Sequence, residues 1–170
     1  MVDLAQLATH KNILVTGENR AGTTIAATII AFETGHRLIV EEDVNFMPAG
    51  VEAFLATDEP KVIQAPFMSP ICHQYPKACV VFVWRSPEDI KASKGRQPQV
   101  FWPKFEIGRR ANYHTNDYSR SIMEIALENW NEQRERLPDH LTVHFDDLRS
   151  HALFEENRTD WGLRQTSAVA

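Results

Sequence analysis

The chain has 170 residues, with 18 Lys and Arg against 23 Asp and Glu and a net charge of −5. This composition predicts a single folded domain over residues 1–170 and argues against both global disorder and general coating of nucleic acid. Two cysteines are too few for a disulfide framework, and no apolar run reaches the ~20 residues of a membrane helix. The first residues lack a secretory pattern. We therefore expect a cytoplasmic protein without membrane contact.

The predicted elements alternate between short strands and helices along the chain. Apolar runs predict five strands, over residues 11–16, 37–41, 61–65, 78–84 and 141–145. Helical patterns predict helices over residues 23–34, 49–56, from 86 onward through 93, and over 118–136. Residues 97–117 fit no clean period, and we expect a lid or an acceptor loop there, in which Arg109 and Arg110 meet an anionic ligand or face water.

The strands are apolar without alternation, and helices separate them. This pattern predicts an α/β protein with three layers, α/β/α, around a mostly parallel central sheet of about five strands. In such sheets, ligands bind beyond the carboxyl ends of the strands. The functional site is therefore expected among four loops, over residues 17–24, 41–47, 66–76 and 85–93.

A glycine-containing loop follows the first strand and opens the first helix. Residues 17–24 read GENRAGTT, with the spacing G-x-x-x-x-G of a P-loop and with Thr23 in the place of the P-loop lysine. Backbone N–H groups at the positive end of a helix form a cradle for an anion, to which Thr23 and Thr24 add hydroxyls and Arg20 adds a permanent charge. This phosphate loop (residues 17–24) predicts a P-loop NTPase-like fold. The alternative is a turn that only joins strand to helix.

A second candidate anion site follows the strongest strand. Arg85 ends that strand on the ligand side and the next helix carries Ser93, so that an Arg and a hydroxyl are placed to bind a second phosphate. Residues 77–110 hold eight Lys and Arg against three Asp and Glu, which favours a local anion site in an acidic protein. The alternatives are a solvated helix face, an ion pair for Arg85, and a hydrogen bond from Ser93 to its own helix.

Three segments resemble the sulfotransferase family in their order and spacing, and together they span most of residues 11–148. Residues 20–24 (RAGTT) resemble its K/R-S-G-T-T loop. Residues 79–93 (CVVFVWRSPEDIKAS) resemble its strand, loop and helix with R-x-P-x-D and a Ser eight residues after the Arg. Residues 130–148 (WNEQRERLPDHLTVHFDDL) resemble its Trp-bearing helix, strand and acidic pair.

The resemblance implies a small transferase that moves a sulfuryl group from 3′-phosphoadenosine 5′-phosphosulfate (PAPS) to a hydroxyl or amine of an acceptor that the sequence does not name. It also implies a set of cofactor-binding residues, with the 5′-phosphosulfate on Arg20, Ala21, Gly22, Thr23 and Thr24, and the 3′-phosphate on Arg85 and Ser93. Arg20 would stabilise charge in the reaction, because a guanidinium does not release its proton. No metal is expected, and the oligomeric state stays open.

The base that would deprotonate the acceptor is expected at the end of the second strand. The family's K-x-H-x-P segment corresponds to residues 62–66, where Gln64 stands in the place of the His, and Gln cannot take a proton at neutral pH. A carboxylate near like charges has a raised pKa and can act as a base. The candidates are Glu41, Glu42 and Asp43. The alternative is a solvated acidic turn, and His73 is a further candidate base.

The adenine contact is expected from an aromatic side chain. The family's Trp after the Thr pair is Ile25 here, so that stacking on the base falls to one of three other residues, Trp84, Trp102 or Trp161. The segment with Arg158 and Arg164 faintly resembles the basic C-terminal loop that closes over the cofactor in the family.

Two other functions stay open on the sequence alone. A P-loop nucleotide kinase or hydrolase would use Glu42 or Asp43 to hold magnesium. A catalytically silent nucleotide-binding protein would keep the anion cradle without a base.

Overall fold

Five strands form the central sheet of the computed structural model, which describes residues 3–94 and 102–154. Three of them, over residues 12–17, 61–64 and 79–84, are buried almost throughout, as expected of strands covered on both faces. The strands are β1 (Asn12–Gly17), β2 (Arg37–Ile39), β3 (Lys61–Gln64), β4 (Cys79–Trp84) and β5 (His140–His144). All five predicted strands are confirmed, and their ends differ from the prediction by at most two residues.

The strands pair in the order β2-β3-β1-β4-β5, and every pairing is parallel. The chain moves across the sheet in one direction from β1 to β2, and in the opposite direction from β2 through β3 and β4 to β5. Because crossovers between parallel strands are right-handed, the first crossover helix covers one face and the later ones cover the other. The three-layer α/β/α architecture predicted from the sequence is therefore confirmed.

Six helices surround the sheet within the described residues. They are α1 (Thr23–Thr34), α2 (Pro48–Leu55), α3 (Pro87–Lys94), α4 (Trp102–Asn112), α5 (Ile122–Gln133) and α6 (Phe145–Leu148). Short 3-10 segments lie at Ala5–Thr9, Pro66–Gln74 and Arg134–Arg136. None of the helices in these parts of the chain is long and apolar enough to cross a membrane.

The ends of the helices follow local chemistry. Helix α1 has its predicted bounds, because Gly35 adopts a left-handed φ of 70° after its last turn. Ser86 caps α3, since its Oγ accepts a hydrogen bond from the Asp89 N–H at 3.2 Å. Helix α5 begins at residue 122 rather than 118, because Ser121 and Glu124 form a capping box there.

Helix α4 replaces the irregular segment that the sequence predicts over residues 97–117. The prediction is wrong for residues 102–112, and residues 97–101 lie outside the described residues. The error has a physical cause, because the face of α4 that packs against the protein is formed in its last turn by charged residues. A periodicity of apolar residues does not detect such a face.

Arg109 and Arg110 are these buried charged residues, and neither faces water, which is one of the two alternatives that the sequence leaves open. Arg109 pairs with Glu18 of the phosphate loop. Arg110 donates to the backbone carbonyls of Asp117 and of Arg120, the latter at 2.8 Å. Both side chains therefore hold α4 in place through contacts with the protein's own residues.

The apolar core lies on both faces of the sheet. Trp130 of α5 stacks on Phe82 of β4 with ring centroids 5.1 Å apart, and its indole N–H donates to the Thr142 hydroxyl at 2.8 Å. On the other face, α1 contacts β1 and β3 and is buried along most of its length, although its Phe32 is 67% exposed. This core fixes the carboxyl ends of β1, β3 and β4 beside one another.

Candidate functional site

The phosphate loop lies at the carboxyl edge of the sheet, between the end of β1 and the first turn of α1. Gly17, Arg20 and Gly22 all have positive φ, at 148°, 70° and 98°, so that the backbone turns tightly through the loop. No side chain caps the first turn of α1. Its N–H groups and the positive end of the helix are thus suited to an oxyanion.

Close contacts require both glycines of the loop. A Cβ on Gly17 would lie 2.6 Å from the Val83 carbonyl oxygen, and one on Gly22 would lie 2.3 Å from the Phe145 ring. The loop therefore packs between the end of β4 and the start of α6. Phe145, which the sequence analysis does not assign to the site, forms part of its wall.

Arg85 binds the phosphate loop directly. Its Nη1 donates to the backbone carbonyl of Arg20 at 3.1 Å, and its guanidinium carbon lies 4.1 Å from the centre of the Phe145 ring. An Arg over an aromatic face gains a cation–π contact. Arg85 therefore lies at the phosphate loop.

Arg20 and Ser93 are also in contact, although 73 residues separate them in the chain. The Nε of Arg20 donates to the Ser93 hydroxyl at 3.1 Å. Ser93 is buried on α3, and its oxygen faces the loop. The structure thus brings Arg20, Arg85 and Ser93 into one cluster at the junction of the phosphate loop and the β4–α3 corner.

Thr23 and Gln64 form a second polar contact below the loop. The Gln64 Nε2 donates to the Thr23 hydroxyl oxygen at 3.2 Å, and the Gln64 Oε1 accepts from the Glu41 backbone N–H at 3.2 Å. Gln64 therefore connects the phosphate loop on β1–α1 with the acidic turn after β2.

The three acidic candidates at the end of β2 have different surroundings. Burial, and then the neighbouring Glu42, raise the pKa of Glu41 above its ordinary value. Glu42 and Asp43 are exposed, and Asp43 Oδ2 accepts from the Val40 N–H at 3.0 Å, which makes it a turn residue. Among the three, Glu41 has the environment of a base and lies next to Gln64.

A buried ion pair inside the loop is a feature that the sequence analysis misses. Glu18 is 1% exposed and Arg109 of α4 is 4% exposed. The Nε of Arg109 donates to Glu18 Oε2 at 3.4 Å, its Nη2 donates to Oε1, and the Tyr113 hydroxyl donates to Oε1 at 2.9 Å. Arg109 thereby neutralises a carboxylate that would otherwise repel an anion from the loop. The signal available in the sequence is Glu18 itself, an acid inside a loop that is otherwise built to hold anions.

The remaining candidates make other contacts or lie outside the described residues. The His73 Nδ1 is hydrogen-bonded to the Gln133 Oε1 at 2.7 Å, so that this nitrogen is engaged in the core. Trp84 contacts the His144 ring with centroids 5.1 Å apart. The side chain of Trp102, and all of Arg158, Trp161 and Arg164, lie outside the described residues.

The chemistry of the cluster is that of an oxyanion site. Backbone N–H groups, two guanidinium groups and hydroxyls are all hydrogen-bond donors, and the nearby acid Glu18 is buried against Arg109. Ala21 of the phosphate loop is buried, and it contributes only its backbone and its small size.

The order of the sheet and the loop between β1 and α1 define a P-loop NTPase-like fold. A solved structure, the shikimate kinase from Acinetobacter baumannii in complex with shikimate, matches 98% of this chain and 99% of its own chain with a TM-score of 0.54. The two sequences are 13% identical, so the likeness establishes the fold alone. No protein-family model matches the chain, and no curated protein matches it.

Proposed function

We propose that the protein is a small sulfotransferase that uses PAPS as the sulfuryl donor and a hydroxyl or amine compound as the acceptor. The phosphate loop would hold the 5′-phosphosulfate through its N–H groups, Arg20, Thr23 and Thr24. Arg85 and Ser93 would hold the 3′-phosphate. Glu41 would take the proton of the acceptor.

The observation that carries this proposal is the contact between Arg20 and Ser93 at 3.1 Å, with Arg85 bonded to the same loop. The two phosphates of adenosine 3′,5′-bisphosphate are joined through one ribose, so the groups that bind them have to be neighbours. A P-loop that binds only a triphosphate chain does not require a hydroxyl and a second guanidinium at the β4–α3 corner.

Thr23 in the place of the P-loop lysine also favours this proposal. A P-loop lysine brings a positive charge to the β- and γ-phosphates of a nucleoside triphosphate. Here the side chain is neutral, and its oxygen accepts a hydrogen bond from Gln64. The loop therefore suits an anion of lower charge, and a sulfonate carries one negative charge.

The proposed transfer needs charge stabilisation and a base. The acceptor oxygen forms a bond to sulfur, the bond from sulfur to the bridging oxygen of the 5′-phosphate breaks, and the acceptor proton passes to the carboxylate, which leaves a sulfated acceptor and adenosine 3′,5′-bisphosphate. Arg20 and the loop N–H groups would stabilise the departing phosphate. Glu41 holds the proton more readily than an exposed Glu, because burial raises its pKa.

Phosphoryl transfer is the second candidate, and the comparison of folds favours it. The solved structure that matches this chain over nearly its whole length is a kinase by its title. In that case the exposed carboxylates Glu42 or Asp43 would hold magnesium, and ATP would occupy the phosphate loop. The two candidates share the loop and differ in the need for Arg85, Ser93 and a metal.

Parallel calorimetric titrations separate the two candidates. We expect adenosine 3′,5′-bisphosphate to bind equally well in EDTA and in magnesium, and to bind more tightly than Mg·ATP. For a variant of the cluster such as Arg85→Ala, the matched control is Lys91→Ala, because Lys91 is an exposed cation on the same helix as Ser93. Tight, magnesium-dependent ATP binding with no heat from the bisphosphate would replace sulfuryl transfer by phosphoryl transfer.

Turnover is tested by conversion of PAPS to adenosine 3′,5′-bisphosphate in the presence of phenols, alcohols and amines. We expect acceptor-dependent conversion that Glu41→Gln abolishes while bisphosphate binding persists. Binding without conversion for any acceptor would favour a catalytically silent nucleotide-binding protein.

A further inference from the structure

Gln64 and Thr23 form a buried polar pair under the phosphate loop. Their exposed fractions are 2% and 5%. Two hydrogen bonds run through the pair in series, from the Glu41 backbone N–H to Gln64 Oε1 at 3.2 Å, and from Gln64 Nε2 to Thr23 Oγ1 at 3.2 Å. The sequence analysis treats Gln64 only as the absence of a His.

The direction of these two hydrogen bonds is fixed by chemistry. A backbone N–H can only donate, so the amide oxygen of Gln64 has to face Glu41 and its NH₂ group has to face Thr23. The Thr23 oxygen is therefore used as an acceptor, and its own proton remains to be donated. Among residues 3–94 and 102–154, the hydrogen bond of the Thr23 hydroxyl is the one that it accepts from Gln64.

The methyl group of Thr23 explains why the hydroxyl takes this position. Thr23 Cγ2 points toward Gly17, where it would lie 3.3 Å from a Cβ, so that the oxygen occupies the side toward β3 and Gln64. Thr23 is also the first residue of α1, at the positive end of the helix. Its spare proton is thus at the end of the helix that attracts an anion.

We propose that Gln64 is a positioning residue that directs the Thr23 hydroxyl proton toward an oxyanion in the phosphate loop. Thr23 then serves as a neutral donor at the position where P-loop NTPases place an ammonium group. The inference rests on the proposed function for one element only, which is that the loop holds a phosphate or sulfonate.

The test inverts the polarity of the pair. In Gln64→Glu the carboxylate has only acceptors, so it takes the Thr23 proton away from the ligand, and we expect affinity for adenosine 3′,5′-bisphosphate at pH 8 to fall by about tenfold or more, as for loss of a hydrogen bond to a charged group. A protonated Glu has the same donor and acceptor as Gln. The affinity of Gln64→Glu should therefore recover relative to that of the wild type as the pH is lowered, because protonation of the ligand's phosphates at about pH 6 affects both proteins alike.

Thr23→Val separates this effect from simple charge repulsion. The carboxylate of Gln64→Glu repels an anion in either background, but only a hydroxyl at position 23 can lose its proton to it. We expect Gln64→Glu to reduce the affinity for the bisphosphate several times more in the wild-type or Thr23→Ser background than in the Thr23→Val background. Equal losses in all three backgrounds would overturn the inference.

Two further measurements keep the test decisive. If Gln64→Glu does not fold, as judged by circular dichroism, Thr23→Ser should keep affinity within about threefold of the wild type and Thr23→Val should lose about tenfold. Equal affinities would overturn the inference.

Inorganic pyrophosphate is titrated beside the bisphosphate. If the effect of Gln64→Glu on pyrophosphate binding depends on the residue at position 23 but the bisphosphate does not bind, Gln64 positions the hydroxyl and the proposed function is refuted. Bisphosphate binding without that dependence refutes the role of Gln64 alone. Binding of neither ligand refutes both.

Discussion

The Arg85 Nη1 donates to the backbone carbonyl of Arg20 at 3.1 Å, which joins the two cations of the site through the chain. Arg20 has a φ of 70°, which is unfavourable for a residue with a Cβ. The hydrogen bond from Arg85 to its carbonyl and that from its own side chain to Ser93 both hold this conformation. The loop is therefore shaped in advance by the residues that we propose bind the ligand.

Gly22→Ala should destabilise the protein by roughly 2–4 kcal/mol, because the new methyl group enters the Phe145 ring and the backbone φ of 98° disfavours it. Urea denaturation measures the change. Gly108→Ala is the matched control, since a Cβ at that helical position meets nothing within 4 Å, and it should stabilise the protein by roughly 0.5–1 kcal/mol. Similar effects of the two substitutions would contradict the packing of Phe145 on the loop.

Glu18→Gln should destabilise the protein by roughly 3–5 kcal/mol, because it leaves the buried Arg109 without its charge partner. Chemical denaturation of the variant and the wild type gives this difference. The comparison is Glu59→Gln, which breaks an exposed pair with Arg37 at 2.9 Å and should cost at most about 1 kcal/mol. A small effect of Glu18→Gln would mean that α4 does not pack on the phosphate loop as described.

Glu41 should make stability fall with rising pH. Burial and Glu42 raise the pKa of Glu41, so the folded protein holds this proton more tightly than the unfolded chain does. Stability contributed by this group is present below the ordinary Glu pKa and is lost as the pH rises through the raised value. Glu41→Gln should therefore match the wild type in acid and exceed it at neutral pH in urea titrations.

Asp117→Asn provides the control of opposite sign for that experiment. Hydrogen bonds from Ser119 lower the pKa of Asp117, so its contribution is present at neutral pH and is lost as the pH falls through the lowered value. Asp117→Asn should be less stable than the wild type at neutral pH and should approach it in acid. If Glu41→Gln also behaves in this way, Glu41 is not held in a desolvating environment.

Both thiols should be inert in the folded protein. Burial raises the pKa of Cys72 to about 12 and that of Cys79 to about 11. Because the thiolate is the reactive species, Ellman's reagent at pH 8 should label neither residue until urea unfolds the chain. Rapid labelling of the native protein would contradict the packing of Cys72 or Cys79 in the core.

The sheet could be predicted from the sequence because each buried strand is a short apolar run. The 78–84 run and the bounds of α1 follow from local features. The glycine spacing of residues 17–24 locates the phosphate loop between β1 and α1. Helix α4 could not be predicted, because the buried side chains of its last turn are Arg109 and Arg110, which bond to groups outside the helix.

The site is only partly readable from the sequence for the same reason. Arg20, Arg85 and Ser93 follow from motifs at the ends of strands, which a parallel sheet brings to one edge. Gln64 stands where the family has a His, and Phe145 lies in the segment over residues 130–148, but neither pattern predicts a contact with the phosphate loop. Their contacts with Gly22 and Thr23 arise only when β5 and β3 take their places in the sheet.

Affinities for adenosine 3′,5′-bisphosphate and adenosine 5′-monophosphate, in the wild type and in Arg85→Ala, test the central claim most directly. The two ligands differ by the 3′-phosphate alone. If Arg85 binds that group, the wild type prefers the bisphosphate, and Arg85→Ala reduces the preference by about 2–3 kcal/mol, while Lys91→Ala leaves it unchanged. A preference that survives intact in Arg85→Ala would contradict the account.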